Sequence, residues 1–480
     1  MKPHFALLAF LLLITPVFAG GGSFYRASDS RLFRYIRQGN LEAVQRFVEA
    51  NPDILDTDGR EALEAALEAG QLKIFKYFEE EGVELKSDDS DSESLLWLAC
   101  SIEITSEGKA RKIDEEAVLE IVKYLVSKDF SLKESHDSQT LLDCSVQAGN
   151  LSLTQYLIDQ KLDVNAHFED SPIIGDLLDS DPETLEVAEL LLKSGAKTVQ
   201  MSKDSEFCEW SLIHEAIRQG KIEWVKLLVK YGASLETVYD GGQPLHAAVA
   251  AKEEEIVHFL VEQGAPLEAK TDYGWTPLLL AILDDLEMVE YLADHGANLK
   301  AVTYNDRDAL FLAAEIGNPE IVDFLLEKKL DPKRVNFSGQ SILFAAAKGG
   351  NQEIFDKIFK FDSDVTQMDS QGHTLLFAAV CGLNQAIIEK LLDAGVPVNA
   401  KAKGGYTAMN LDRQIGGFNL EFLDSHGGKE ADLRMEELVT NSKDSTIGIL
   451  GSHSVGNFMG TLGRPGNRGQ RIPAGMGGFM

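Results

Sequence analysis

Several residue groups in this chain are of types that chemistry uses, and their spacing argues against catalysis or metal binding in each case. The best nucleophile candidate is Ser454, within Ile447-Gly448-Ile449-Leu450-Gly451-Ser452-His453-Ser454-Val455-Gly456. A serine elbow of the Gly-x-Ser-x-Gly kind works on top of a parallel sheet, with its acid and histidine supplied by later loops. Here Ser452 stands where the first glycine belongs, and fewer than thirty residues follow Ser454, so a linker is expected. The acidic run Asp88-Asp89-Ser90-Asp91-Ser92-Glu93 lacks the sixth-position glycine and twelfth-position glutamate of a calcium-binding loop. It reads as a solvated loop. The ten histidines include no i, i+4 pair, and the four cysteines are too few and too scattered for a zinc site or a disulfide framework. No metal, cofactor or catalytic residue is expected.

Composition directs attention to the surface instead. Lys and Arg total 45 against 77 Asp and Glu, a formal net charge of −32, which repels phosphates and excludes nucleic acid as a partner. Hydrophobic residues at 44% and charged residues at 25% are ordinary for a folded chain. At the N-terminus, Lys2, the apolar stretch Phe5 to Ile14 and Val17-Phe18-Ala19 form the three parts of a cleavable secretory signal. Cleavage is expected after Ala19, followed by a flexible start over 20–27, and export to a periplasm or the exterior. No other stretch has the roughly 18 apolar residues of a membrane helix, so no membrane insertion is expected.

The body of the chain is repetitive. Gln243-Pro244-Leu245-His246-Ala247-Ala248 is echoed by segments starting at Thr276, Asp308, Ser341, Thr374 and Thr407, with successive starts 33, 32, 33, 33 and 33 apart. A second marker runs in phase: Gly232-Ala233, Gly264-Ala265, Gly296-Ala297 and Gly395-Val396, spaced 32, 32 and 99. Between the markers, Ile222, Val225, Leu228 and Val229 have helical i, i+3, i+4 spacing, and a glycine follows where a left-handed C-cap needs one. Each unit therefore predicts a helix, a tight turn, a second helix and an extended finger.

These residues resemble the ankyrin repeat, with its 33-residue length and Thr-Pro-Leu-His signature. The resemblance implies an all-α solenoid, here of about twelve repeats over 28–430, with earlier units starting near Ser30, Glu61, Ser94, Thr140, Ser171 and Ser211. Lys252 and Asp285 replace the helix-turn glycine, and an insertion near 102–114 stretches the third unit to 46 residues. His214 and His246 occupy the signature histidine position and are expected to bond neighbouring backbone. Cys100 is expected to be an inert core thiol; Cys144 and Cys381 fall on or near inner helices and Cys208 in a loop. Residues 431–480 read as a short helix and then a weakly basic tail with ten glycines beyond 441. Gly460, Gly463, Gly466 and Gly469 are too few triplets for a collagen helix. Loss of Lys2 makes the charge −33, and the tail's +3 leaves −36 on the body.

The resemblance further implies a protein partner held on the concave face of fingers and inner helices. Reading the finger positions gives Tyr239, Asp240, Asp272, Tyr273, Trp275, Tyr304, Phe337, His373 and Tyr406 as partner-binding residues, with Trp275 central. Aromatic side chains on a rigid frame suit an interface hot spot. Inner-helix positions near Arg218, Gln219, Glu315 and Lys348 are the alternative face. The expected function is a non-catalytic, exported binding scaffold for a protein, which the acidic body would prefer basic. Two narrower expectations are an inhibitor of an exported basic hydrolase and a secreted effector imitating a host adaptor. Because stacked repeats grow in one dimension, the mature chain is expected to be an elongated monomer. Small-angle scattering should give a radius of gyration well above the roughly 23 Å of a compact globule of this length. A compact value would refute the solenoid.

Overall fold

The computed structural model describes residues 31–86, 94–102, 115–133, 135–136, 139–165, 173–179, 184–201 and 208–431. The expected signal sequence, the acidic run from Asp88, most of the insertion near 102–114, the serine segment and the glycine-rich tail lie outside them. The described chain forms helix pairs in two compact units that divide between Lys197 and Thr198. Strand structure in the described residues is confined to two short antiparallel ribbons, Ser135–His136 with Gln139–Thr140 and Val199–Met201 with Cys208–Ser211.

The first unit pairs Arg31–Arg37 with Leu41–Ala50, Ile54–Glu68 with Leu72–Glu80, Leu95–Cys100 with Glu115–Ser127, and Leu141–Gln147 with Leu151–Asp159. A fifth pair joins the short helix Ile173–Asp176 to Leu185–Lys193. In the second unit the inner helices are Leu212–Arg218, Pro244–Ala251, Pro277–Ala281, Ala309–Ile316, Ile342–Gly349, Leu375–Cys381 and Ala408–Ile415. Their outer partners are Ile222–Lys230, Glu254–Glu262, Leu286–Asp294, Pro319–Glu327, Gln352–Phe361, Gln385–Asp393 and Leu420–Ser425.

The two helix types differ in sequence because they differ in surroundings. Every residue from Leu375 to Val380 is fully buried, since this inner helix packs on the inner helices before and after it and on its own outer helix. It is accordingly apolar all round. The outer helix Gln352–Phe361 buries only Ile354, Phe355 and Ile358 and turns its charges to solvent, an amphipathic stripe. Helix starts are set by capping: Thr276, Asp308 and Ser341 each accept the backbone N–H three residues on, at 3.3, 2.9 and 3.1 Å. Asn351 and Asn384 cap outer helices and also donate to the turn carbonyls of Gly317 and Gly350 in the preceding repeat.

The helix-turn substitutions behave differently from each other. Lys252 keeps the left-handed turn at φ +59 and pairs with Asp284 at 2.6 Å. Asp285, with φ −132, is instead the N-cap of its outer helix and accepts from the Met288 N–H. Glycine is strictly needed at Gly350, where φ is +67 and an added Cβ would sit 2.1 Å from the Gly382 carbonyl oxygen.

The two signature histidines tie repeats together. His214 accepts from the Ser211 hydroxyl at 2.8 Å and donates from Nε2 to the Gly242 carbonyl at 3.2 Å. His246 accepts the Gln243 N–H and donates to the carbonyls of Ala269 and Trp275 at 3.0 and 3.1 Å. Burial pushes the pKa of His214 down to about 4 against the opposing pull of the Gly242 bond, and burial likewise lowers His246. Both rings are neutral in the fold. A histidine depressed in this way stabilises fully above its unfolded value of about 6.5 and loses that contribution as pH falls through its folded value. The urea midpoint, followed by circular dichroism, should therefore drop between pH 6.5 and about 4. The dependence should flatten in His214→Gln; an unaltered pH profile in that variant would refute the assignment.

Candidate functional site

One local device builds the fingers of the second unit. In three of these finger turns a polar side chain at the start accepts the backbone N–H groups two and four residues later. Asn336 Oδ1 takes those of Ser338 and Gln340 at 2.9 and 3.0 Å, and Asp369 Oδ1 those of Gln371 and His373, both at 2.9 Å. Thr271 Oγ1 does the same less tightly for Tyr273 and Trp275, at 3.4 and 3.1 Å. These are side-chain turns of the Asx and Ser/Thr kind. They push the next two residues outward and return the fourth towards the inner helix. Neighbouring fingers are joined through backbone bonds, Ser370 N–H to Ser338 O at 2.7 Å and Lys403 N–H to Gln371 O at 2.8 Å.

This geometry sorts the expected aromatic residues. Phe337, Tyr304 and Tyr273 occupy outward positions and are 82%, 62% and 61% exposed. Asp240 and Asp272 are exposed at the tips of the two earliest fingers of this row. Trp275 sits at the returning position and is half-buried, so it is not the exposed centre of the row. Tyr239 is half-buried too, its ring 5.5 Å from that of His214. Tyr304 lies against Gly274, where an added Cβ would come within 2.6 Å of its backbone nitrogen.

His373 and Tyr406 are corrections to the expected site. Both occupy returning positions and are buried. His373 donates from Nδ1 to Asp369 at 2.8 Å and accepts the Tyr406 hydroxyl at Nε2 at 2.5 Å. Gln340 extends the chain to Asp369 at 3.5 Å, and Asn336 donates to Gln340 at 3.2 Å. Burial alone would raise the Asp369 carboxyl, but the hydrogen bonds it accepts from the His373 ring and backbone hold it below the usual carboxylate range. This ladder lies under the fingers and braces them.

Two features escaped the sequence. Val335 and Met368 are 51% and 58% exposed beside the row, on the outward side of the alternation that turns Asn336 and Asp369 inward. Period-two alternation through Val335-Asn336-Phe337 was the available signal. On the inner-helix face, Glu315 accepts from Arg307 at 3.0 Å and from Lys348 at 2.6 Å. Arg218 is paired with Glu215 within its own helix. Among the described residues, no group of three or more His, Cys, Asp or Glu could hold a metal ion, and no helix is long and apolar enough to cross a membrane. Cys100 and Cys144 are buried, and burial pushes the Cys381 thiol up to about 12.

Removing the tyrosine hydroxyl tests the bracing role. Tyr406→Phe leaves His373 Nε2 buried without its donor and should cost about 1–3 kcal/mol in urea unfolding. Partner affinity should be unchanged; a binding defect without a stability loss would return Tyr406 to the surface site.

The ankyrin-repeat family model matches in three copies, over residues 180–271, 266–336 and 310–402. A curated ankyrin repeat protein of Rickettsia bellii strain RML369-C is 31% identical over 114 residues, which cover 23% of this chain and 31% of that protein. The chain thus spans about a third of that relative's length. Ankyrin repeats generally serve as protein-interaction scaffolds and are typically non-catalytic. With the 33-residue helix pairs, capped inner helices and histidine ties in register with that match, residues 180–402 form an array of ankyrin repeats.

Proposed function

We propose that this chain is an exported, non-catalytic scaffold that holds a protein partner on the finger row of its second unit. The observation that carries this is Phe337, which is 82% exposed on a turn locked by Asn336. A large apolar ring is held in water there by a rigid frame, and Tyr273, Tyr304, Val335 and Met368 extend the surface on either side. Contiguous exposed apolar side chains on a preorganised frame suit a protein interface. Ordering cost is low, because the turns are already set.

Asp240 and Asp272, on an acidic protein, favour a basic partner through long-range steering. Export rests on the N-terminal segment through Ala19, and the protein acts as a monomer in a periplasm or outside the cell. The acidity also favours a narrower version of the same reading, an inhibitor seated on an exported basic hydrolase.

Affinity capture from exported fractions, followed by titration of the captured partner, tests the row. Phe337→Ala should weaken binding by about thirtyfold or more, the equivalent of about 2 kcal/mol. It should leave helical circular dichroism and melting temperature unchanged, because the ring contributes little to the core. Trp275→Ala, at a half-buried position, should instead lower the melting temperature. Full affinity in Phe337→Ala would remove the finger row as the binding face.

A further inference from the structure

The inner-helix face carries a charged cluster that the finger row does not use. Arg307 immediately precedes the cap of helix Ala309–Ile316, Glu315 lies near its end, and Lys348 follows at 33 residues on helix Ile342–Gly349. Their side chains are 15%, 7% and 9% exposed. Glu315 Oε2 accepts from Arg307 Nη1 at 3.0 Å and Oε1 from Lys348 Nζ at 2.6 Å. Two cations thus share one carboxylate, leaving a net positive charge almost out of water in a protein of net charge −32.

The cluster's donors are not matched. An ammonium carries three N–H groups and a guanidinium five, and each spends one on Glu315. Arg307 Nε is buried with no acceptor at all. The other acidic groups nearby are engaged elsewhere. Asp306 is bound to Arg334, Asp308 caps the Phe311 N–H and faces Arg334, and Asp412 accepts from Asn419. Cys381, the next residue in the 33-residue series, stays a neutral thiol because burial pushes it up to about 12. A buried donor without an acceptor costs the full desolvation of that group, and a charged one costs more. One further carboxylate would neutralise the cluster and accept the idle N–H groups.

We propose that Arg307 and Lys348, held apart and oriented by Glu315, form a receptor for a carboxylate presented by the docked protein. This deepens the scaffold reading and rests on it: apolar fingertips supply area, and a buried cation pair reads one acidic group at a fixed place. Charge-assisted bonds to a carboxylate in a dry site give geometric selectivity as well as affinity.

The first test needs no partner. The Arg307 Nε–H resonance of the full chain is followed while sodium acetate is titrated against sodium chloride at equal ionic strength. A saturable shift with acetate alone is expected, lost in Lys348→Met. In Glu315→Gln, which removes the competing internal carboxylate, acetate should bind about tenfold tighter. A resonance indifferent to acetate, or one that follows chloride equally, would overturn the proposal and leave an internal ion cluster. N-acetylalanine and N-acetylglutamate α-amide then separate a chain-terminal from a side-chain carboxylate; preference for either supports the receptor and names its source. With the captured partner, Lys348→Met should weaken binding while Phe337→Ala leaves the acetate response intact. Acetate binding with undiminished partner affinity in Lys348→Met would refute the receptor's role in docking without touching the finger row.

Discussion

The inner helix Leu375–Cys381 cannot be buried by its own repeat. Leu375 to Val380 are apolar on all sides and wholly buried, and a single outer helix covers only one of those sides. The remaining faces must be supplied by the inner helices before and after, so each unit exists by virtue of its neighbours. The close approach this imposes is visible where Gly350 meets the backbone of Gly382, a contact that admits no Cβ. Packing at that distance fixes register, and register carries the same position of successive repeats onto one line.

The finger geometry follows from that line. Because inner helices must start in step, each finger turn has to deliver its fourth residue back to a capped helix start. Polar side chains at Thr271, Asn336 and Asp369 enforce this by bonding the turn's own N–H groups. The outward ring of Phe337 is 82% exposed, so core packing does not account for its size. Returning positions have a structural duty, which the ladder of Gln340, Asp369, His373 and Tyr406 performs through hydrogen bonds between repeats.

Charge is distributed in keeping with the same stacking. On the outer helices, Lys357 pairs with Asp323 and Lys390 with Asp356, each one repeat apart. Such partly exposed pairs contribute little energy singly, but they repeat in register and discourage slippage. The inner-helix cluster of Arg307, Glu315 and Lys348 is of another kind. It is shielded from water and its donors exceed its acceptors. Surface pairs of the first type tolerate loss, whereas breaking a buried pair leaves an uncompensated charge and is strongly destabilising.

The fold was legible in the sequence because its determinants are local and repeated. A 33-residue pitch, capping residues before apolar helices, and histidines at Ser211 plus three and Gln243 plus three all report themselves within one repeat. The aromatic row was legible only in part. Spacing placed Tyr273, Trp275, Tyr304, Phe337, His373 and Tyr406 near fingertips, but a shift of two or three residues along a tight turn reverses the direction of a side chain. Whether His373 faces water or Asp369 is decided by the turn's hydrogen bonds, which involve residues of the next repeat as well as its own. Composition and period determined that this chain stacks helix pairs and presents fingers. Which returning side chains are bonded beneath the fingers, and which charges meet across repeats, was decided by tertiary structure, because both depend on contacts between residues about 33 positions apart.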